Sequence, residues 1–295
     1  MADAFDALTR QDKGPRTLST LDAIRSLQAQ FEEYPCKPQT GMHYGEQTKY
    51  VTWRFGREHE SIEVLHITDV QFGHVECRTH RLIEYRDWIL AKPNRFVLLG
   101  GDMVDAATVL SPGAPWENVC GPQSQVYRFC EVMAPLRHRI LGYVGGNHER
   151  RGLKTFGDLG ILIATLLRVP YSSGQQLIDI HYGRHRPFKI NLWHGIGSAQ
   201  TKGAKAQMIS RFMEKGDAQL YLVGHLHDLL LLGGWRTIRK AGHNNVHIEK
   251  IFGGMSTSFL SYWGTYAEVA GLSVSDVAML RAVLDYDGGY EVTIR

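Results

Sequence analysis

The sequence predicts a layered α/β fold, and three observations predict it. Apolar runs of strand length (Ile62 to Thr68, Phe96 to Leu99, Ile140 to Val144, Phe188 to Trp193, Leu220 to Val223) are interspersed with helix-like segments (His80 to Leu90, Gln125 to Ala134, Phe156 to Leu167, Ala206 to Lys215). Sheets covered by helices produce this pattern. Each of those strands also runs directly into residues that can bind metal: Asp69 and Gln71, Asp102, Asn147 and His148, His194, then His225 and His227. Open α/β sheets place their sites at the carboxyl ends of strands. Finally, 295 residues with 43% hydrophobic and 21% charged content are enough for a sizeable core.

Taken in order, residues 1–60 read as an N-terminal helical extension with a lead-in strand, and 61–295 as the main domain. Leu21, Ile24, Leu27 and Phe31 recur at helical spacing within Thr17 to Tyr34, with Ser19 or Thr20 as N-cap and Pro35 as the stop. Such a helix packs on the core or on a second copy of the chain; contact with nucleic acid is the alternative. Tyr50 to Phe55 alternates and predicts an antiparallel strand leading into the core. Ser111 to Gln125 is rich in Pro, Gly and polar residues and long for a connection, so it is expected to lie over the site. Within it Trp116 serves either as a stacking surface or as an anchor. Gln176 to Tyr182 and Phe188 to Trp193 read as paired strands. Ala278 to Leu284 and Tyr290 to Ile294 read as a closing pair that turns at Asp287-Gly-Gly289. The C-terminal strands are expected to supply a second sheet, and Tyr262, Trp263 and Tyr266 to pack in the core, the alternative being that they line the cleft.

The chemistry follows from residue types at strand ends. Asp69 and Gln71, like His225 and His227, stand two apart, so in extended backbone both members point the same way and reach one ion. His74 is a substitute ligand or, more simply, a surface or substrate-contacting group. Asp102 has two carboxylate oxygens and can bridge two ions, whereas Asp105 orients the shell. Arg150, Arg151 and Lys154 suit an anionic substrate, the plain alternative being a solvated basic turn. The small residues and lysines of Ile196 to Lys205 allow close approach to a phosphate but lack P-loop spacing.

Asp69-x-Gln71, Gly101-Asp102-x-x-Asp105, Gly146-Asn147-His148-Glu149, a lone His194 and Gly224-His225-x-His227 together resemble the calcineurin-like metallophosphoesterase superfamily. Its pattern runs D-x-H, G-D-x-x-D, G-N-H-E/D, H, G-H-x-H. The resemblance implies a four-layer αββα sandwich and two divalent ions. One ion would be held by Asp69, Gln71, Asp102 and His227, the other by Asp102, Asn147, His194 and His225. A hydroxide between them would attack phosphorus. Asp102, Asn147 and His148 form the implied catalytic set, His148 tending the leaving group and Glu149 keeping its imidazole in register. Asp105, Glu149, Arg150 and His74 are the implied substrate-contacting or supporting positions.

Gln71 departs from the family pattern, which has His there. A neutral amide oxygen is a harder ligand than imidazole and favours Mn²⁺ or Mg²⁺ over Zn²⁺, with Fe²⁺ a further alternative. The same D-x-Q is similar to the Mn²⁺-dependent ADP-ribose/CDP-alcohol diphosphatases. The Pro-Gly loop and Ser258-Phe-Leu…Tyr266-Ala-Glu268 more loosely resemble uncharacterised phosphoesterases of phages and bacteria.

The implied activity is a metal-dependent phosphodiesterase or nuclease acting on nucleic acid or nucleotides. Phosphomonoesterase or nucleotide-diphosphate pyrophosphatase activity is the alternative, and a non-catalytic binding protein on the same fold is the rival from another class. Net charge +3 and a pI near 8.6 permit an anionic substrate without a strongly basic stripe that would demand nucleic acid. The four cysteines show no metal-type spacing and read as free thiols of a reducing, cytoplasmic setting. No membrane span or export signal is expected. A homo-oligomer through the N-terminal helix is the expected self-association.

Overall fold

A computed structural model describes residues 47–109, 111, 114–154, 157–183, 186–239, 246–269, 271 and 274–295. The expected helix at Thr17 to Tyr34, and any self-association through it, lie outside the described residues. The strands are β1 (Tyr50–Phe55), β2 (Ser61–Ile67), β3 (Arg95–Leu99), β4 (Ile140–Val144), β5 (Tyr171–Ser172), β6 (Gln176–Tyr182), β7 (Phe188–Trp193), β8 (Leu220–Val223), β9 (Leu230–Arg239), β10 (Val246–Met255), β11 (Leu280–Asp285) and β12 (Tyr290–Ile294). The α-helices are α1 (Thr79–Leu90), α2 (Pro122–Met133), α3 (Asn147–Arg150), α4 (Leu159–Leu167), α5 (Lys202–Met213) and α6 (Tyr266–Val269).

Two six-stranded sheets result, ordered β12-β11-β2-β3-β4-β5 and β1-β6-β7-β8-β10-β9. Their facing sides share one core. Val64, Phe96, Leu98 and Leu141 of the first sheet meet Ile180, Ile190, Leu192, Leu220 and Leu222 of the second. Alternate residues of the same strands face helices instead, as Tyr221 and Val223 do in packing with Ile209 and Phe212 of α5. Helix α1 packs on β3, and α5 on β8, β9 and β10. This is the expected helix–sheet–sheet–helix layering. It explains why β3, β4 and β8 read as unbroken apolar runs: both faces of each strand are buried.

Two expectations are corrected. β1 is not an antiparallel lead-in; it pairs in parallel with β6, Tyr50 opposite Leu177. Val51 and Trp53 enter the shared core, and Trp53 Nε1 donates 2.8 Å to the Leu141 carbonyl of β4. An alternating edge strand buries one face whichever way its neighbour runs, so its pattern does not specify the direction of pairing. The C-terminal hairpin β11–β12 pairs as expected but joins the first sheet through β2, Leu280 opposite His66. The second sheet is β1 with β6 to β10, so the late strand β10 joins it but the hairpin does not.

Helix α4 is capped by Asp158, which accepts from the Gly160 amide, and α5 by Thr201, which accepts from the Ala204 amide. Trp263 is exposed rather than packed in the core, and Trp116 stands almost free of the protein at 84% exposure, so neither is an anchor. Cys77, Cys120 and Cys130 are free thiols. Among the described residues no helix is long and apolar enough to cross a membrane.

Candidate metal centre

The loops leaving β2, β3, β4, β7 and β8 meet at one edge of the sandwich. Past the end of the sheet they stay tied together: the Asp69 amide donates to the Gly101 carbonyl and the Gln71 amide to the Asp102 carbonyl, each at 2.9 Å. Backbone strain concentrates here. Among the described residues seven non-glycine residues have positive φ, and Asp69 (52°), Gln71 (48°), Asp102 (55°), His225 (71°) and His227 (48°) are five of them. Left-handed backbone costs an L-residue about 1–2 kcal/mol, and such strain persists where surrounding contacts over-determine it and function uses it. The flanking glycines are required sterically. A Cβ on Gly146 would lie 2.0 Å from Asp102 Oδ1, and one on Gly224 would lie 2.1 Å from Thr68 Oγ1.

The side chains converge in two overlapping groups. In one, Asp69 Oδ1 lies 3.1 Å from His227 Nε2, while Gln71 Nε2 lies 3.3 Å from His227 Nε2 and 3.4 Å from His148 Nε2. In the other, Asp102 Oδ2 lies 3.1 Å from His194 Nε2, which is 3.2 Å from Asn147 Oδ1. The ligand atoms of Asp102, His194 and His225 all fall within 4.8 Å of one another, a group able to hold a metal ion. Their outer contacts set which nitrogen is presented. His194 Nδ1 donates 2.7 Å to the Gly100 carbonyl, turning Nε2 towards Asp102 and Asn147, where a cation would take the place of its proton; His225 Nε2 donates 2.8 Å to the Gly197 carbonyl, leaving Nδ1 as the available ligand atom. Asp69 Oδ2 accepts from Thr68 Oγ1 (2.6 Å) and the His225 amide (2.9 Å).

The donor set fits divalent cations. Gln71 turns Nε2 to the two imidazoles and leaves Oε1 buried with no hydrogen-bond partner; with the amide turned over, that orphan oxygen is one a cation would satisfy. The buried carboxylates also demand positive charge. Burial pushes the Asp69 carboxyl up, but His227 and His194 beside it hold it below its ordinary value. Burial likewise opposes charge on His194, yet Asp102 and Asp69 prevail and its pKa is pushed up to about 10.

Supporting residues are partly those expected and partly not. His148 Nδ1 lies 2.8 Å from the Asp105 carbonyl and 3.1 Å from its carboxylate; both are acceptors, so Nδ1 carries the proton and Nε2 faces the cluster, 3.6 Å from Asp102 Oδ2. Asp105 therefore orients the ring, not Glu149. Glu149 is fully buried and accepts instead from the amides of Asp102 (3.0 Å), Met103 (2.6 Å) and Gly146 (2.9 Å) and from Tyr143 Oη (3.0 Å). It clasps the loop bearing Asp102 to the loop bearing Asn147. Arg151 rather than Arg150 reaches His148, its Nη2 2.9 Å from Nε2 and its Nη1 donating 2.8 Å to the Asp105 carbonyl. Arg150 is exposed at the cleft. His74 is not a surface group: it is buried, with Nδ1 accepting from the Glu76 amide (3.1 Å) and Nε2 3.8 Å from Glu117.

Sequence reasoning missed Asn118, which donates 2.9 Å to Asp105 Oδ2, and Gln125, which accepts from the Ala106 amide and donates to Asn118. Nothing local signals them, because they stand thirteen or more positions from Asp105. Lys205, read as charge for a phosphate, is fully buried against Asp228 at 2.9 Å. A cleft of about 770 Å³ opens beside the cluster, lined by Asn147, His194, His225, Arg150 and Arg151 among others.

A family model described as calcineurin-like phosphoesterase matches residues 62–229, more than half of the chain. No curated protein matches the chain significantly. Among solved structures, an uncharacterised Streptococcus pneumoniae protein described as a predicted phosphoesterase is 14% identical, covering 80% of this chain and 98% of its own, with TM-score 0.34. Vps29 of Chaetomium thermophilum is 11% identical (79% and 97% covered, TM-score 0.35). The NAD nucleotidase of Haemophilus influenzae is 12% identical (79% and 49% covered, TM-score 0.37). Likeness at this distance says nothing of substrate.

Proposed function

This chain belongs to the calcineurin-like phosphoesterases, and from that premise we propose that it hydrolyses phosphodiesters of nucleic acids or nucleotides, using two divalent cations with Mn²⁺ preferred. The observation that carries the reading is the set of five strained, left-handed residues whose side chains meet at one edge. Asp69, Gln71, Asp102 and His227 would hold one ion, and Asp102, Asn147, His194 and His225 the other. Bound there, the ions would draw charge from the phosphoryl oxygens and lower the pKa of an attacking water. Gln71 Oε1 in place of an imidazole supports the harder ion.

The remaining residues position and move protons. Asp105 keeps a proton on His148 Nδ1 and turns Nε2 to the cluster, where Arg151 Nη2 stands 2.9 Å away; with Arg151 drawn to a bound anion instead, Nε2 could carry a second proton and give it to the leaving oxygen. Burial opposes that second proton, but Asp102 and Asp105 outweigh it and raise the His148 pKa. Arg150 and Arg151 line the cleft where an anionic substrate would enter. The cleft's size supports a phosphate with bulky groups attached, as nucleoside diesters have.

The test is hydrolysis of bis-(p-nitrophenyl) phosphate and p-nitrophenyl phosphate by metal-free protein titrated with Mn²⁺, with His148→Ala as control. Diester turnover that saturates with Mn²⁺ and falls at least about 100-fold in the variant is the expected result. Monoester turnover alone would make the protein a phosphatase. Bound metal with turnover of neither would refute the diesterase reading in favour of a nucleotide-diphosphate pyrophosphatase or a binding role.

A further inference from the structure

The cleft beside the cluster is not uniformly polar. Leu153 is 52% exposed and Ile196 66% exposed, and both line it. They come from different sheets. Leu153 follows α3 at the end of β4, and Ile196 follows β7. The floor joining these two segments is the 3.2 Å contact between Asn147 Oδ1 and His194 Nε2, which lies within the candidate metal centre. Two large aliphatic side chains, one from each sheet's loops, thus line the same cleft as Asn147 and His194.

Leaving two branched side chains wet in a cleft forgoes their burial. An apolar cleft with a few convergent charges is the usual form of a small-molecule site. The charges here are cationic. Arg150 is exposed and forms no ion pair among the described residues, while Arg151 also borders the cleft, its guanidinium bonded to His148 Nε2 and to Asp105. At about 770 Å³ the cleft is larger than one phosphate group needs. Cationic groups and exposed aliphatic side chains lining one cleft suit a nucleoside phosphate, which has charge at one end and a flat, weakly polar ring at the other.

We propose that one nucleoside arm of the substrate binds between Leu153 and Ile196, its phosphate held over Asn147 and His194 with Arg150 and Arg151 alongside. The inference rests on the phosphodiesterase reading and assigns the place where the nucleoside arm of such a substrate binds.

The experiment compares two esters that release the same p-nitrophenolate, thymidine 5′-(p-nitrophenyl phosphate) and methyl p-nitrophenyl phosphate, on Mn²⁺-loaded protein. The thymidine ester should have a kcat/KM about tenfold or more above the methyl ester. In the double variant Leu153→Ala/Ile196→Ala that ratio should fall towards one. Both positions are largely exposed, so the variant is expected to fold. A ratio near one in the unmodified protein, or a ratio preserved in the variant, overturns the inference while turnover of the methyl ester leaves the diesterase reading standing. If neither ester is hydrolysed, calorimetric titration of thymidine 5′-monophosphate into the Mn²⁺-loaded protein decides the subsite by itself. Binding weakened about tenfold in the double variant supports it, and binding that is absent or equal in the two proteins overturns it.

Discussion

Replacing His66 with Gln should flatten the acid limb of this protein's stability. His66 sits on β2 between the sheets and is 1% exposed. Its Nδ1 is 3.0 Å from Ser256 Oγ, but its Nε2 has no hydrogen-bond partner and faces Gly100 so closely that a Cβ there would lie 2.4 Å away. A second proton on the ring would therefore have no acceptor. Burial is the largest influence and lowers the pKa; Asp69 opposes it without overcoming it, His194 adds to it, and the ring is held at about 3 against an ordinary 6.5. The unfolded chain thus binds a proton between pH 6.5 and 3 that the folded chain refuses. The His66 contribution is fully present above pH 6.5, declines as pH falls, and is gone below about pH 3. At about 1.4 kcal/mol per pH unit, the loss is about 2 kcal/mol at pH 5 and about 5 kcal/mol below pH 3. In a domain of this size 2 kcal/mol moves Tm by about 4–8 °C. The assay is urea or thermal unfolding of chelated protein across pH 5–8, native chain against His66→Gln. Groups that do not interact with His66 cancel in the difference, so the two curves should converge by about 2 kcal/mol from pH 8 to pH 5. Parallel curves would refute the claim that His66 is buried without an acceptor.

Other outcomes follow from the same geometry. Gly224→Ala would force a Cβ to within 2.7 Å of Asp69 Oδ2 as well as against Thr68, so unfolding should show a loss of about 1–3 kcal/mol and metal analysis a reduced Mn²⁺ content. Asp105→Asn removes the anion beside His148 Nδ1. Because Asp105 helps raise the His148 pKa, the loss of rate as pH rises should move to lower pH, with kcat down about 10–100-fold. Lys205→Met strands the buried Asp228 carboxylate and should cost about 3–5 kcal/mol, most of which the double change with Asp228→Leu restores. Gln71→His exchanges the unpartnered amide oxygen for an imidazole, and competition binding should then shift preference from Mn²⁺ towards Zn²⁺.

Much of the fold and of the site was legible because each depends on local sequence. β4 and β8 are buried on both faces, so each is an apolar run whose limits could be read directly. The residues that converge at the edge stand where those runs stop, and Gly146 and Gly224 precede them because nothing larger fits beside Asp102 and Thr68. The chain around Asp69 and His227 therefore announces its chemistry residue by residue.

What stayed hidden depends on partners remote in sequence. The alternation in β1 shows that Val51 and Trp53 are buried, but its parallel pairing with β6 is set across more than a hundred residues. The same holds for the choice between sheets by β11 and β12. Glu149 adjoins His148 in the chain, yet helical backbone turns it back onto three amides, and Asp105 from another loop takes the ring. Lys205 reads as a solvated charge until Asp228 is folded against it. By itself the sequence determined which faces are buried and which strand ends carry ligands, because periodicity and steric demand act over a few residues. Only the tertiary structure decided what each face is buried against and which group holds which, because those contacts are made between segments that meet only in the folded chain.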